Sequence, residues 1–345
     1  MSNFVVSSLP AYVENNKEVL IKNFALVGGD TRKRIGVQTG VKKDAYLNYI
    51  DLAPAYADGL DCGFSASGTA TVTQKTIETA VIKSNMTICP QTLRGKWAEY
   101  LVKNSNDSLP FEQYVIEGIL NNVSKDVETM IWQGDKTKTS DGVRKWFNGF
   151  LAQFASDGDV IDVDIDDLTP SEAIQEVYMH MTEESLERGG VIFVSPAIFR
   201  AFTADLVSRN LYNYGVANEY ANEIVLPGTG VKVVKAAGLA LPYNNDDSYQ
   251  PVAIIGTFAD NLVFGCDMES DLEELKLWFS EDNDEFRLKI RFNAGVAYHF
   301  GEHIVYGANS DNLPSVSEQG HLAAIAKNVG ELADADHIYK TSEQA

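Results

Sequence analysis

The sequence predicts an α+β protein, and three of its patterns support this fold class. Apolar and polar residues alternate in two strands near the C-terminus, between Leu275 and Ala294. Apolar residues recur at helical spacing from Phe111 to Ile131. From about residue 135 to 260, short helical and strand patterns alternate. Together these patterns predict a long helix with a returning antiparallel sheet, joined to a compact mixed lobe.

The N-terminal part of the chain predicts an arm followed by an extended excursion. Residues 1–30 carry a weak helical pattern that ends at Gly28 and Gly29. Residues 31–92 are rich in Gly, Thr, Ser and β-branched residues, which favours a long, twisted β excursion. The densest positive cluster of the chain lies at the base of this excursion and consists of Arg32, Lys33, Arg34, Lys42 and Lys43.

Residues 93–134 contain the strongest helix pattern. Residues 106–108 offer N-terminal caps, Pro110 suits the first turn, and Gly134 ends the pattern. At about 1.5 Å per residue, this helix is a rod of roughly 33 Å. A rod of that length can brace a flat subunit.

The remaining chain divides into three predicted parts. Residues 135–265 form the compact lobe. Residues 266–307 return as an antiparallel hairpin with an acidic turn at 281–285, and the return continues past Gly295. This hairpin must pack on the long helix, because neither element can bury its apolar face alone. Residues 308–345 form a polar tail to which we assign no role.

Composition excludes several classes of protein. The 345 residues are 45% hydrophobic and carry a formal charge of −21, which opposes a nucleic-acid-binding footprint and a surface held by anionic lipids. Cys62, Cys89 and Cys266 are too few and too widely spaced for a disulfide framework or a zinc cage, so a reducing compartment is expected. Neither a standard export signal nor an apolar span of about 18 residues is present, so we expect no membrane anchor.

One motif matches an enzyme pattern. His299, Glu302 and His303 form an HxxEH sequence, which in inverted zinc peptidases places two histidines and a catalytic glutamate on a helix. A zinc metallohydrolase is therefore an alternative. Gly301 and the strand-like flanks oppose it, and they favour two histidines on one face of a strand that are partly exposed or contact a neighbouring chain.

A second motif is acidic. Asp162, Asp164 and Asp166 alternate, so a strand would aim them at one face, where they could bind Ca²⁺. The EF-hand pattern fails because Asp167 and Ala173 stand where Gly and Glu are required. We interpret the run as a solvated acidic edge that discourages strand aggregation. No nucleophile or phosphate-binding motif occurs, so we expect neither an enzyme nor a cofactor.

Three stretches, in this order, carry a resemblance to a known family: LPFEQYVIEGILNNVSKDVETMIWQGD, VIFVSPAIFRAFTADLV and EFRLKIRFNAGVAYHFGEHIVYG. The order of parts resembles the major capsid proteins of tailed bacteriophages, which share the HK97-like capsid fold. By this resemblance, residues 1–30 are the N-arm, 31–92 the E-loop, 93–134 the P-domain with its spine helix, 135–265 the A-domain and 266–307 the returning P-domain sheet.

The resemblance implies a structural function. Such proteins self-assemble into hexamers and pentamers of an icosahedral shell that encloses double-stranded DNA without reading its sequence. We expect a virion protein that is assembled in the host cytoplasm with a portal, other virion proteins and a separate scaffold protein. Some members link an E-loop lysine to a neighbour's asparagine. Lys42, Lys43 and Lys75 lie in the right region, but the asparagine cannot be placed and we predict no cross-link.

Two questions stay open at the level of sequence. An encapsulin-type nanocompartment shell, which encloses a protein cargo, is a related alternative, although the chain is long for that class. The contacts between subunits are a hypothesis: the basic residues Arg32, Lys33, Arg34, Lys42 and Lys43 would meet an acidic neighbour, either residues 157–167 or 269–274.

Overall fold

We describe a computed structural model of the chain. The structure describes residues 13–14, 30–53, 69–89, 111–166, 168–209, 222–240, 253–267, 275–283 and 285–308, without the side chains of 49–53, 69–73 and 111–115. Most of the predicted N-arm, the acidic segment 269–274 and the tail from residue 309 lie outside these residues.

The described elements are numbered in chain order. The strands are β1 (Gly36–Gln38), β2 (Asp44–Ala53), β3 (Thr69–Glu78), β4 (Ala80–Ile88), β5 (Ile161–Asp164), β6 (Gly190–Val194), β7 (Glu223–Val225), β8 (Lys232–Lys235), β9 (Ile254–Phe258), β10 (Leu262–Cys266), β11 (Lys276–Ser280), β12 (Glu285–Tyr298) and β13 (Val305–Ala308). The helices are α1 (Phe111–Gln133), α2 (Phe150–Phe154), α3 (Pro170–Met179), α4 (Glu183–Glu187) and α5 (Pro196–Ser208). None of the described helices is long and apolar enough to cross a bilayer.

A five-stranded sheet is built around the long strand β12. Strand β4 pairs along one edge of β12, while β10 and β11 follow one another along the other edge, and β1 pairs with β10. The predicted hairpin is confirmed, since β11 and β12 are antiparallel and Ser280 pairs with Glu285 across the acidic turn.

The long helix α1 covers one face of this sheet. Its 23 residues match the predicted length, and Gly134 follows its last residue. Alternate residues of β12 share one hydrophobic core with the apolar stripe of α1; the shared residues are Ile116, Leu120, Val123, Phe286, Leu288, Ile290 and Phe292. The prediction that the hairpin packs on the long helix is therefore confirmed.

A six-stranded sheet forms the mixed lobe, in the order β5-β13-β9-β6-β8-β7. Helices α3 and α5 pack on one face, where their apolar residues join those of the strands in a second core. Local sequence sets the helix starts: Thr169 forms a capping box with Glu172, and Ser195 caps α5, each followed by a proline.

Strand pairing differs from the expected segment limits at three places. Strand β10 belongs to the five-stranded sheet rather than to the lobe, and β13 lies in the lobe between β5 and β9 rather than continuing the return. Strand β4, expected in the excursion, pairs with β12 over nine residues. Strands β10 and β13 are buried throughout, so their sequences carry no alternation that assigns them to a sheet.

The excursion itself is a two-stranded ribbon of β2 and β3. The two strands pair from Asp44 with Glu78 to Ala53 with Thr69, ten residues in each strand. At about 3.3 Å per residue the ribbon is roughly 30 Å long. Among the described residues, β2 and β3 pair only with each other.

Candidate functional site

The candidate site is the ribbon together with its base, the region where residues 41–47 and 75–79 meet the five-stranded sheet. Asn293 on β12 donates hydrogen bonds to the carbonyls of Val41 (2.7 Å) and Lys42 (3.0 Å). Ile77 is fully buried against Gly265, where an added Cβ would lie 2.9 Å from Ile77 Cγ2. The first residues of the ribbon are therefore fixed on the sheet of their own subunit.

A charged cluster joins strand β3 of the ribbon to Asp157, which precedes strand β5 of the lobe. Lys75 Nζ on β3 lies 2.9 Å from Asp157 Oδ2 and 3.9 Å from the ring centre of Tyr298. The Tyr298 hydroxyl donates to the same Asp157 oxygen. These contacts fix Lys75 of the ribbon on Asp157 and Tyr298 of the body.

The surroundings of this cluster change two pKa values. Burial alone would raise the pKa of Asp157, but hydrogen bonds from Lys75, Tyr298 and the Asp159 N–H outweigh it and lower the pKa. Burial, together with the hydrogen bond to Asp157, raises the pKa of Tyr298. At neutral pH, Asp157 is therefore charged and Tyr298 is a neutral donor.

A second anchor lies where the excursion begins. The Arg32 guanidinium is buried, with Nε 3.1 Å from Glu128 Oε1 and Nη2 2.5 Å from Ser124 Oγ, both on α1. Beside it, Trp132 Nε1 donates to Thr31 Oγ1 at 2.8 Å. Burial lowers the pKa of Arg32, and the adjacent Glu128 carboxylate opposes that shift.

This anchor corrects the predicted role of Arg32. A residue that is 2% exposed and paired within its own chain cannot meet a neighbouring subunit. Arg34 is half-buried and pairs with Glu223 on β7 at 3.2 Å, so it joins the excursion to the lobe. Lys33, Lys42 and Lys43 are exposed, and their contact with a neighbour stays a prediction.

The residues that receive Arg32 carried a weak signal in the sequence. Ser124 and Glu128 are four residues apart and lie on the same side of α1 as the apolar residues Val127 and Ile131. A carboxylate on the buried side of a helix requires a cation, but the sequence does not identify which one. The partner is 96 residues away.

The HxxEH motif lies in the turn between β12 and β13, not on a helix. His303 is buried, with Nδ1 2.8 Å from Thr182 Oγ1 and Nε2 3.2 Å from Glu184 Oε2, so both ring nitrogens contact the lobe. His299 is half-buried, and burial lowers its pKa, while Glu302 is exposed. The expectation of two histidines on one strand face is wrong, because the strand ends at Tyr298.

The acidic motif lies at a sheet edge, as predicted. Asp162 and Asp164 are on β5, which pairs only with β13 among the described strands, and Asp164 is exposed. Asp164 Oδ1 accepts a hydrogen bond from the Asp166 N–H at 3.0 Å. Within the described ranges, no group of three His, Cys, Asp or Glu side chains could hold a metal ion.

Comparisons with known proteins identify the fold. No family model matches the chain, and no curated protein matches its sequence. Solved structures do match: the satellite phage P4 procapsid, which includes the size determination protein Sid, aligns with a TM-score of 0.52 and 15% identity, over 84% of this chain and 98% of that chain. A structure from Mycobacterium phage Ogopogo aligns with a TM-score of 0.50 and 10% identity, over 82% of this chain and 92% of that chain.

The chain has the HK97-like capsid fold. The ribbon lies within the predicted E-loop, α1 and β12 within the predicted P-domain, and most of the six-stranded lobe within the predicted A-domain, and these domain assignments stay predictions. At 10–15% identity, the comparison establishes this architecture and no residue-level role. The roles of individual residues follow from the contacts described above.

Proposed function

We propose that this protein is the major capsid protein of a tailed bacteriophage, which self-assembles into hexamers and pentamers of an icosahedral shell around double-stranded DNA. The observation that carries the proposal is the two-stranded ribbon of β2 and β3: among the described residues its strands pair only with each other, and its base is fixed on the body. The HK97-like fold supports it, since two solved structures of phage origin share the architecture.

The physical argument concerns the stability of the ribbon. A two-stranded hairpin is marginally stable in water, because its backbone groups and both faces stay hydrated. A ribbon of roughly 30 Å gains a stable environment by lying on another surface. If each copy places its ribbon on the next, the contact is heterologous, and a rotation that closes produces a ring.

The high acidity fits this function. A formal charge of −21 keeps a protein soluble at high concentration before assembly, and it opposes adhesion of the shell to the packaged polyanion. The enclosed DNA would then be held without sequence-specific contacts. The scaffold protein, the portal and assembly in the host cytoplasm are parts of the same proposal.

The test compares the protein with a variant that has a short ribbon. Asn48 and Gln74 are cross-strand neighbours, so residues 49–73 can be replaced by Asn-Gly, a two-residue hairpin turn that keeps the register of the base. Negative-stain microscopy and sedimentation should show closed shells for the unaltered protein. The variant should remain a folded subunit with an unchanged melting temperature.

Two results would contradict the proposal. One is an unaltered protein that stays monomeric at high concentration, alone and with its candidate scaffold. The other is a short-ribbon variant that still closes shells. The contents of shells purified from infected cells separate the related alternative, because nuclease-protected DNA supports a virion and an enclosed enzyme supports a nanocompartment.

A further inference from the structure

The base of the ribbon has one covered face and one exposed face. Leu47 and Ile77 are buried, and they share a small core with Val263 on β10 and Ala297 on β12. The alternate residues of the ribbon face the other way, and the largest of them at the base, Tyr46, is 59% exposed. At its base, the ribbon is therefore covered by its own subunit on one face and exposed on the other.

Alternation along the two strands assigns every ribbon residue to one of these faces. The ten cross-strand pairs are consecutive, so no bulge reverses the faces along the described strands. The odd-numbered residues of 45–53 and 69–77 form what we call the body-side face. The even-numbered residues of 44–52 and 70–78 form the opposite face, which we call the far face.

The apolar residues change from one face to the other along the ribbon. At the base they lie on the body-side face, where Leu47 and Ile77 are buried. The change occurs at the cross-strand pair of Asn48 and Gln74, whose side-chain amides are hydrogen-bonded at 3.0 Å. In the distal half of the ribbon, the apolar residues of the far face form two successive cross-strand pairs, Ile50 with Val72 and Leu52 with Ala70.

The distal half of the body-side face is more polar. It consists of Tyr49, Asp51, Ala53 and three threonines. A strand carries its apolar residues on the side that is covered, and a change of one residue in phase moves them to the other side. The distal half of the ribbon therefore has the pattern of a strand pair that is covered from the side opposite to its own body.

The absence of charge on the far face indicates the class of partner. From the pair of Tyr46 and Thr76 to the pair of Leu52 and Ala70, its eight residues include no charged type. Duplex DNA requires cations that neutralise its phosphates, and this face has none. Copies of a chain with a formal charge of −21 repel each other, so they approach most readily through uncharged surfaces. Tyrosine is also enriched at the centres of protein interfaces.

We propose that the far face, in residues 46–52 and 70–76, packs on a second copy of this chain, while the body-side face of the base stays on its own subunit. The ribbon then lies between two subunits and contacts each with a different face. Such a contact is heterologous, as a closed shell requires. The inference rests on the proposed function, in which each ribbon lies on the next copy, and it specifies which face makes that contact.

The first test compares two neighbouring positions of β3. Val72→Lys places a charge on the far face, and the matched control Thr71→Lys places the same charge on the body-side face, opposite Asp51. Both subunits should melt at the temperature of the unaltered protein. Assembly of Val72→Lys should require at least about tenfold more protein, the change that corresponds to roughly 1.4 kcal/mol, because the contact would bury an unpaired charge.

The control defines the contrary results. Thr71→Lys should change the protein concentration needed for assembly by no more than about twofold, as exposed substitutions usually do. Normal assembly of Val72→Lys would overturn the inference. An equal loss of assembly in both variants, or a loss in Thr71→Lys alone, would also overturn it, because the effect would then not belong to the far face.

The second test does not depend on shells. A photoreactive aromatic residue, benzoylphenylalanine, replaces Tyr46 on the far face in one variant and Thr71 on the body-side face in another. Each variant is prepared with and without heavy nitrogen, and the two forms are mixed, allowed to assemble and irradiated. Mass spectrometry should find mixed-label links from position 46 and none from position 71.

The outcomes separate this inference from the proposed function. Closed shells without mixed-label links from position 46 would overturn the inference and leave the proposed function in place. Small oligomers that carry these links but never close shells would contradict the proposed function and support the inference. Links from position 46 to a scaffold protein alone would overturn the inference, because the far face would then bind a different chain.

Discussion

The two main sheets of this protein differ in how they are covered. In the six-stranded sheet, β6, β9 and β13 are buried throughout, because one face packs on α3 and α5 and the other joins the core around α1 and α2. In the five-stranded sheet, α1 covers one face, and the ribbon base packs on part of the other, where Ile77 meets Val263 and Ala297. Among the described residues, the lobe strands are thus buried by their own chain, whereas β2 and β3 of the ribbon pair only with each other.

The largest expected effect concerns the buried ion pair that joins the start of the excursion to α1. Glu128→Ala removes the partner of the buried Arg32 guanidinium and should lower the free energy of unfolding by about 3–5 kcal/mol. Chemical denaturation measures it. In the double variant Arg32→Met/Glu128→Leu no charge is left buried, so most of the stability should return. Equal losses in both variants would show that the ion pair itself, and not an unpaired charge, determines stability.

An effect of comparable size should separate the two sheets directly. Phe193 on β6 is fully buried, with its ring centre 5.3 Å from that of Trp132, so Phe193→Ala should cost about 3–5 kcal/mol. Trp278→Ala removes a larger ring from β11, but Trp278 is 43% exposed. Trp278→Ala should therefore change the free energy of unfolding of the subunit by less than about 1 kcal/mol. A large loss of subunit stability in Trp278→Ala would contradict the comparison.

A smaller effect should depend on pH at the ribbon base. The pKa of Asp157 is below its ordinary value of 3.8, so the folded state binds this proton less readily than the unfolded state. The resulting stabilisation is complete above the ordinary pKa and is lost as pH falls through the folded pKa. Asp157→Asn should lower stability by about 1 kcal/mol or less at neutral pH, because the pair with Lys75 is partly exposed.

Thermal unfolding of both proteins from about pH 7 to pH 2 checks this prediction. The two melting temperatures should converge at the acidic end, where Asp157 is protonated in folded and unfolded protein alike. A difference that stays constant over the whole range would show that the carboxylate charge is not involved.

The sequence predicted those elements whose patterns are local. The alternation from Phe286 to Phe292 and the helical spacing after Phe111 identify β12 and α1 without further information. Other features depend on distant residues. From the sequence, Arg32 is interpreted as a surface charge, because its partner Glu128 is distant in the chain. The uniformly buried strands β10 and β13 carry no pattern that assigns each to its sheet.

The charged side of β12 lies between these cases. The alternate residues Arg287, Lys289 and Arg291 are visible in the sequence as one charged side of a strand. Only the register of β4 and β11 adds Lys83 and Lys276 opposite them, and so reveals the like-charge pairs. The sequence therefore predicts strand β12, whereas its pairing with β4 and β11 identifies the other residues on the charged side.

Hydrogen–deuterium exchange, compared between assembled particles and dissociated subunits, tests the central claim most directly. Strands β6 and β9 should be equally protected in both forms, because their own chain buries them. The backbone amides of the outer ribbon, in residues 48–53 and 69–74, should be protected in particles and should exchange rapidly in subunits, whereas the base is held by its own chain in both forms. A ribbon that is as protected in the free subunit as in the particle would contradict the account.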